Sequence, residues 1–370
     1  MLKALPQGER SKIVVAMSGG VDSSTTAALL HEVGYDVIGV TLQLCNKDNI
    51  LGQERACHVD SNIYDAQIAA KKIGIPHYTF NYERNFQHEV IEPFVDSYVR
   101  GETPIPCVLC NQRVKFQGLL QAAKKFGADQ IATGHYARKI TQNGKHELHK
   151  AVDEGKDQSY FLFTTTHEQL NYLLFPLGNF KKSHTREIAY HYGLNTADKP
   201  DSQDICFVPN GDYRSIIAKF RPTAFQPGNI VFRDGAVIGK HDGTINYTIG
   251  QRRGLNIPHS EPLYVIKIDP ENSEVVVGYR QDLKSKKLLI RGISWMSQND
   301  EIYLNHPLKC TAKLRSTHIG SNVVVKYAGH DAAEVELYED YFAITPGQAC
   351  VMYDKTKLLG GGWIIRKIPS

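Results

Sequence analysis

The stretch KIVVAMSGGVDSSTTAALL (12–30) decides the fold. Its first six residues, KIVVAM, form a short apolar run with β-branched residues, the pattern of a strand buried on both faces. Ser18, Gly19 and Gly20 interrupt that run, and from Asp22 to Val33 the spacing becomes helical, with Ala27, Ala28, Leu29 and Leu30 as its apolar residues. Strand, glycine loop and helix in direct succession make the opening of a βα unit. The loop itself suits an anion. Gly19 and Gly20 place no Cβ between backbone and ligand, Ser18 and Ser23 carry hydroxyl donors, and the free N–H groups of a helix start point the same way. It is neither a Walker A loop nor a G-x-G-x-x-G dinucleotide loop. The plainer alternative is a glycine turn with a Ser/Asp cap.

The pattern repeats outward from this unit. DVIGVTLQL (36–44) reads as a strand, 63–73 as a helix and HYTFN (77–81) as a strand. A helix over 84–100, a helix after Cys110 and the strand QIATG (130–134) follow. Strands alternating with helices predict a doubly wound α/β fold, a parallel sheet with ligands along the C-terminal edge of its strands. Residues 165–220 read as helical and end in RPTAFQPG (221–228). Beyond that, NIVF, GAVIGK, PLYVIKID, SEVVVGY, KLLIRGISW, HPLKCTAKLR, SNVVVKY, AEVELY and QACVMYD are short and turn-punctuated. Such strands predict an antiparallel barrel or sandwich. The expected domains are an α/β catalytic domain over 1–209, a small mixed domain over 210–285 and a C-terminal antiparallel β-barrel over 286–370.

The 370 residues are 42% hydrophobic and 22% charged, with a net charge of +4, so a polybasic nucleic-acid binder is excluded and any such partner must meet a local patch. No apolar run nears the roughly 18 residues of a membrane span, and MLKALPQGERSK (1–12) lacks the apolar core of a signal peptide. The expectation is a cytoplasmic protein without a membrane partner.

Seven cysteines, at 45, 57, 107, 110, 206, 310 and 350, are too dispersed for a disulfide framework and suggest reduced thiols. PCVLCNQRVKF (106–116) sets Cys107 and Cys110 in a C-x-x-C before a helix. The helix dipole, Arg113 and Lys115 are expected to lower the Cys110 pKa. Cys206 lies in DSQDICF (201–207), where the acidic neighbours oppose ionisation. A structural zinc site wants a second C-x-x-C, and a thioredoxin-type pair wants a different fold; unrelated buried thiols remain an alternative for Cys206. Cys45, Cys57, Cys310 and Cys350 read as packing residues.

The SGG-x-DS loop resembles the signature of the N-type ATP pyrophosphatases, which adenylate an oxygen to make it a leaving group. Asp22 would there help hold Mg²⁺ against the phosphates. The ordered series SGGVDSS, TP-x-PCVLCN, IATGHYARK, KDQSYFL, DSQDICF, TIGQRRGL and TPGQACVMY resembles, over nearly the whole chain, the bacterial tRNA-specific 2-thiouridylases, the MnmA family. That resemblance implies an ATP-dependent exchange of O2 for sulfur on the wobble uridine, position 34, of tRNAs for Lys, Glu and Gln. AMP and pyrophosphate would leave, and a cysteine desulfurase or relay protein would supply sulfur. It also implies residue roles. Ala16, Met17, Ser18, Gly19, Gly20, Val21, Asp22 and Ser23 would bind ATP, with Leu42 (where the family more often has Met) and Gly134 flanking the nucleoside. Cys206 would carry sulfur as a persulfide, with Cys110 as catalytic partner, and the two would pair as a disulfide between turnovers. Ile105 (the family's usual residue is Asn), Pro106 and Cys107 (Asp in some relatives) would contact the target base. A [4Fe–4S] cluster on Cys107, Cys110 and Cys206 is the alternative sulfur route, and a small-metabolite ligase or a non-catalytic RNA-binding protein the alternative function.

The tRNA contacts implied are His135, Lys156, Asp157, Gln158, Arg315, Ser316 and Gln348. GQRRG (250–254) suits phosphates and KSKK (284–287) adds charge. Residues 281–370 hold 12 Lys/Arg against 9 Asp/Glu, so the barrel is not strongly basic and binding should be salt-sensitive.

Overall fold

A computed structural model describes residues 11–45, 59–201, 204–208, 211–296, 306–329 and 331–368. The chain forms two compact units. The first is built from Met1–Val90, Cys107–Gly211 and Thr356–Leu358, the second from Ile91–Pro106, Asp212–Lys355 and Leu359–Ser370.

In the first unit, β1 (Lys12–Ala16), α1 (Val21–Glu32), β2 (Asp36–Gln43), α2 (Val59–Ile73), β3 (His77–Asn81) and β4 (Gln130–Ala132) follow the expected alternation. A hairpin comes next, β5 (Ala137–Gln142) and β6 (Lys145–Lys150), and then a two-residue strand, β7 (Leu173–Leu174). The sheet order is β3-β2-β1-β4-β7, and every pairing is parallel. β1 has β2 on one side and β4 on the other, so the order reverses there. Crossovers leave in opposite directions at that point and open a crevice at the strand ends. Ile13, Val15, Met17, Leu30, Val37, Ala66, Ala70 and Ala132 pack the core against α1 and α2. α1 is buried along nearly its whole length, Ser23, Ser24, Thr25 and Thr26 included, so it is an interior helix and not a surface one.

Two segments read as plain helices are interrupted. The one over 84–100 is α-helical at Glu83–Phe86, π-helical over Gln87–Ile91 and α-helical again over Glu92–Val99. The one after Cys110 starts earlier, at Pro106–Leu109. It passes through a π turn, Cys110–Lys115, and continues as α3 (Phe116–Phe126), ending on Gly127 in the left-handed conformation. The 165–220 stretch holds helices at His167–Tyr172, α4 (Lys182–His191) and Tyr213–Phe220, with loops between. Residues from the far end of the chain complete this unit. Lys150 donates its N–H to the Thr356 carbonyl at 2.8 Å, Lys357 pairs with His149, and its ammonium reaches Glu147 at 2.5 Å.

The second unit holds a mixed sheet of β8 (Gly228–Phe232), β9 (Val237–His241), β10 (Tyr264–Asp269) and β11 (Glu274–Gly278) in the order β10-β11-β8-β9, with β8 and β11 parallel. It also holds the barrel strands β12 (Lys284–Trp295), β13 (Leu308–Lys313), β14 (Ser321–Gly329), β15 (Ala332–Phe342), β16 (Ala349–Asp354) and β17 (Lys357–Ile368). They run β12-β15-β14-β13-β16-β17, and β17 pairs back antiparallel to β12, which closes the barrel and removes its edges. Leu288, Ile290, Val323, Val335, Leu337, Met352 and Ile364 fill it. Among the described residues no helix is long and apolar enough to cross a membrane.

Candidate active site

The loop Met17–Gly20 joins β1 to α1 at the crevice. Gly19 has φ +70°, and a Cβ there would stand 2.0 Å from the Asn62 carbonyl oxygen, so only glycine fits. Ser23 Oγ accepts from the Ser18 N–H at 3.1 Å and donates to the Gly20 carbonyl at 3.1 Å, which fixes the curl of the loop. Gly134, just past β4, faces the same helix start: a Cβ on it would lie 2.9 Å from Asp22 C and Ser23 N. Met17 is buried and its carbonyl accepts from Thr41 Oγ1 at 2.6 Å. Ala16 and Leu42, at the ends of β1 and β2, are half-buried, and Val21 is buried at the first turn of α1.

Two cations that the sequence reading missed meet this loop. Lys182, on α4 and only 9% exposed, places its ammonium 2.6 and 2.7 Å from the two Asp22 carboxylate oxygens and 3.0 Å from Asp201. Lys199 donates to the Gly19 carbonyl at 2.9 Å, to Asn62 at 2.6 Å and to Asp65 at 2.7 Å. Asp201 gathers Lys156 at 2.7 Å and Arg186 at 2.9 Å as well. Partial burial works against the Asp201 charge, but the Lys156 and Lys182 ammonium groups win and hold its carboxyl down at about 2. The available signal was Asp22 itself, since a carboxylate at an anion-binding loop requires a nearby cation. Both Asp22 oxygens accept from Lys182, and among the described residues no three His, Cys, Asp or Glu side chains gather to hold a metal ion.

Cys107, Cys110 and Cys206 all belong to the first unit. All three are free thiols; Cys107 and Cys206 reach solvent and Cys110 is buried. The Lys115 ammonium favours the thiolate of each, while Cys110 and Cys107 oppose that of Cys206. The expectation of an acidified Cys110 is overturned. Burial pushes its thiol up, and the lowering by Lys115 does not compensate. Desolvation by the surrounding protein, and next the neighbouring Cys110, push the Cys206 thiol up to about 12. Arg113 takes no part: it is exposed and pairs with Glu89 at 3.2 Å. Beside the thiols, Asn111 is 3% exposed, donates to the Phe161 carbonyl at 3.3 Å and leaves its Oδ1 without a partner.

The other cysteines divide. Burial raises Cys310, to about 12, and Cys350, as befits packing thiols. Cys45 is disulfide-bonded, which corrects its reading as a packing thiol, and Cys57 lies outside the described residues.

The residues assigned to RNA fall into two groups. In the first unit, Lys156 is engaged by Asp201, Asp157 accepts from the N–H groups of Ala151 and Ser159, and Gln158 accepts from the Tyr136 N–H. His135 is half-buried, bonded to Thr133 at 2.8 Å and edge-on to Phe116 and Phe175; burial and the Lys115 charge lower it to about 3, so it is neutral at pH 7. In the second unit, Arg315 and Ser316 are exposed on the β13–β14 turn, with the Arg315 guanidinium over the Tyr341 ring. Gln348 donates to the Thr103 carbonyl at 2.9 Å, Thr103 donates to the Pro346 carbonyl at 2.8 Å, and Gly347 leaves no room for a Cβ beside Thr103. The loop carrying Ile105 and Pro106, both buried, is thereby tied to the loop carrying Gln348. Arg252 and Arg253 are exposed, and Arg252 borders an open concavity of about 530 Å³ that also involves Leu255 and His259. Lys284 and Lys287 of KSKK lie near Asp340, Glu334 and Glu336, which reduces that patch's charge.

Residues 11–210 match the family described as tRNA methyl transferase HUP domain, 214–279 the tRNA methyl transferase PRC-barrel domain and 285–364 the aminomethyltransferase beta-barrel domain. The chain is 53% identical over 360 residues to the tRNA-specific 2-thiouridylase MnmA of Rickettsia canadensis (strain McKiel), covering 97% of each chain. It is 52% identical to that of Rickettsia africae (strain ESF-5), covering 97% of this chain and 98% of the relative. Among solved structures, a 4-thiouridine synthetase–RNA complex with bound ATP shows 14% identity over 57% of this chain and 50% of that one, with a TM-score of 0.35, too low to carry weight. Identity above one half along almost the entire length of both proteins places this chain in the tRNA-specific 2-thiouridylase MnmA family.

Proposed function

We propose that the protein uses ATP to replace O2 of the wobble uridine, position 34, of tRNAs for Lys, Glu and Gln by sulfur; the relatives' name, tRNA-specific 2-thiouridylase, supports the 2-thiolation of uridine in tRNA. One observation supports this reading above the others: a single compact unit holds both an anion loop flanked by cations and the three free thiols Cys107, Cys110 and Cys206. A ligase acting on a small metabolite has no use for the thiols, and a plain RNA-binding protein has no use for either.

The uridine O2 attacks the α-phosphate of ATP, pyrophosphate leaves, and C2 then carries an AMP leaving group. Backbone N–H groups of the loop, Lys182 and Lys199 oppose the charge that builds on the phosphates. Cys206 arrives as a persulfide, charged by a desulfurase or a sulfur-relay protein. The Cys110 thiolate attacks the inner sulfur of that persulfide, a Cys110–Cys206 disulfide forms, and hydrosulfide departs with the bonding pair. Hydrosulfide adds to C2 and AMP is expelled with the former O2. A dithiol reductant returns the two cysteines to thiols for the next turnover. The target base must leave its stack to reach the thiols. Arg315, Ser316, Arg252 and Arg253 supply exposed phosphate contacts for the anticodon arm.

The test is mass spectrometry of tRNA nucleosides after incubation with ATP and a sulfur source. Wild type should form 2-thiouridine at position 34 with one AMP per modification, and Cys206→Ser should form none. Thiolation by the serine variant removes Cys206 from the mechanism, and AMP formation without any tRNA requirement would favour the ligase.

A further inference from the structure

Lys115 closes the π turn Cys110–Lys115, in which the Phe116 N–H bonds to the Asn111 carbonyl, five residues back. That one extra residue per turn has a geometric result. At 3.6 residues per turn, positions five apart sit about 140° apart around a helix. An i→i+5 turn holds more residues per turn, so that angle shrinks and the later residue moves toward the face of the earlier one. Lys115 is thus carried onto the Cys110 side, while Arg113 projects outward to Glu89. Lys115 is half-buried, and among the described residues no carboxylate forms an ion pair with it. The groups that face it are Cys107 and Cys110 from its own segment, Cys206 from the 204–208 segment and His135 from the end of β4. His135 is neutral, so Lys115 is the positive member of this group. Burial by itself would lower the Lys115 pKa, yet the three thiols reverse that and raise it.

We propose that Lys115 is the positioning cation of the sulfur pocket, holding the anion on whichever sulfur carries it during release of sulfide. This rests on the reading of Cys110 and Cys206 as the sulfur-handling pair. When the Cys110 thiolate attacks the inner sulfur of the Cys206 persulfide, one negative charge passes from Cys110 to the departing hydrosulfide. Start and end of that displacement lie within the field of one ammonium, so the charge moves without being exposed to an uncompensated apolar pocket. The π turn is the device that keeps the cation on both sides of the step.

The rate at which iodoacetamide alkylates each cysteine at a fixed pH of about 8, read by mass spectrometry, tests this without tRNA, because below its midpoint a thiol reacts in proportion to its thiolate fraction. Lys115→Met should slow alkylation of Cys110 and Cys206 by about tenfold, Lys115→Arg should hold the rates close to wild type, and Arg113→Ala should leave them unchanged. In a single turnover by enzyme loaded with persulfide, Lys115→Met should lose about tenfold in thiolation at pH 7 and keep tRNA-dependent pyrophosphate release within about twofold. Unchanged alkylation rates and an unchanged single-turnover rate in Lys115→Met overturn the role of Lys115. Should the methionine variant lose its fold by thermal melting, Lys115→Gln read by the same alkylation rates decides. Thiolation that persists in Cys206→Ser brings down the sulfur-carrier reading, whereas an inactive Cys206→Ser beside an unaffected Lys115→Met brings down only the present inference.

Discussion

Replacing Asp201 by asparagine removes the carboxylate that gathers Lys156, Lys182 and Arg186, all within 3.0 Å of it. The gap between the ordinary carboxyl value of 3.8 and about 2 in the fold corresponds to roughly 2 kcal/mol of stabilisation at pH 7. Screening by the solvent that reaches this side chain reduces that to about 1 kcal/mol. The variant should therefore unfold at lower urea concentration at neutral pH. The sign of the pH effect follows from the depressed value. The carboxylate's contribution is complete above the unfolded-state pKa near 4 and is lost as pH falls through about 2. The difference between wild type and Asp201→Asn should thus be constant from pH 7 to 5, narrow below 4 and vanish near 2. Urea titrations followed by fluorescence at several pH values provide the measurement. A difference that persists undiminished at pH 2, or one absent at pH 7, refutes the assignment of Asp201 as an ion-paired anion.

Other substitutions reach separate parts of the molecule. Gly134→Ala pushes a methyl group onto the backbone at Asp22 and Ser23 and should weaken binding of a fluorescent ATP analogue by about tenfold or more, a cost of at least 1.4 kcal/mol, with little effect on thiol reactivity. Thr41→Val deletes the donor to the Met17 carbonyl and the contact to His77 Nε2 at 2.8 Å. Leaving that buried acceptor unmet should cost about 1–3 kcal/mol in urea unfolding. Arg315→Ala removes an exposed cation from the β13–β14 turn. It should weaken tRNA binding and reduce the salt slope of log K by about 1, read by filter binding at several salt concentrations.

The parallel sheet was legible because its strands are uninterrupted apolar runs and its loop is written in glycines. β5 and β6 were not, since ARKITQ and KHELHK are polar and charged, and only their pairing with each other and with Lys357 makes them strands. Lys182 and Lys199 were invisible for a different reason: isolated lysines in a polar segment carry no periodicity, and their meaning comes from carboxylates and carbonyls far away in sequence. The thiols show where sequence neighbourhood misleads. Arg113 and Lys115 both follow Cys110 closely, but the π turn sends one out and the other in, and helix propensity does not encode that extra residue. Nor does proximity to cations report burial, which is the larger influence on Cys110.

The Thr356–Leu358 segment has a consequence for how the molecule is made. It supplies the carbonyl for Lys150, a hydroxyl 3.1 Å from His149 and the ammonium for Glu147, so the first unit lacks these partners until Thr356 and Lys357 are synthesised. Vectorial synthesis, which usually lets an N-terminal domain fold while the rest is still emerging, cannot finish this one early. A fragment ending at residue 209 would expose the polar edge of β6 and would leave Ile91–Pro106 without the loop that holds it. The unit that carries the glycine loop and the three thiols is complete only after the barrel strands that precede Thr356 have been made.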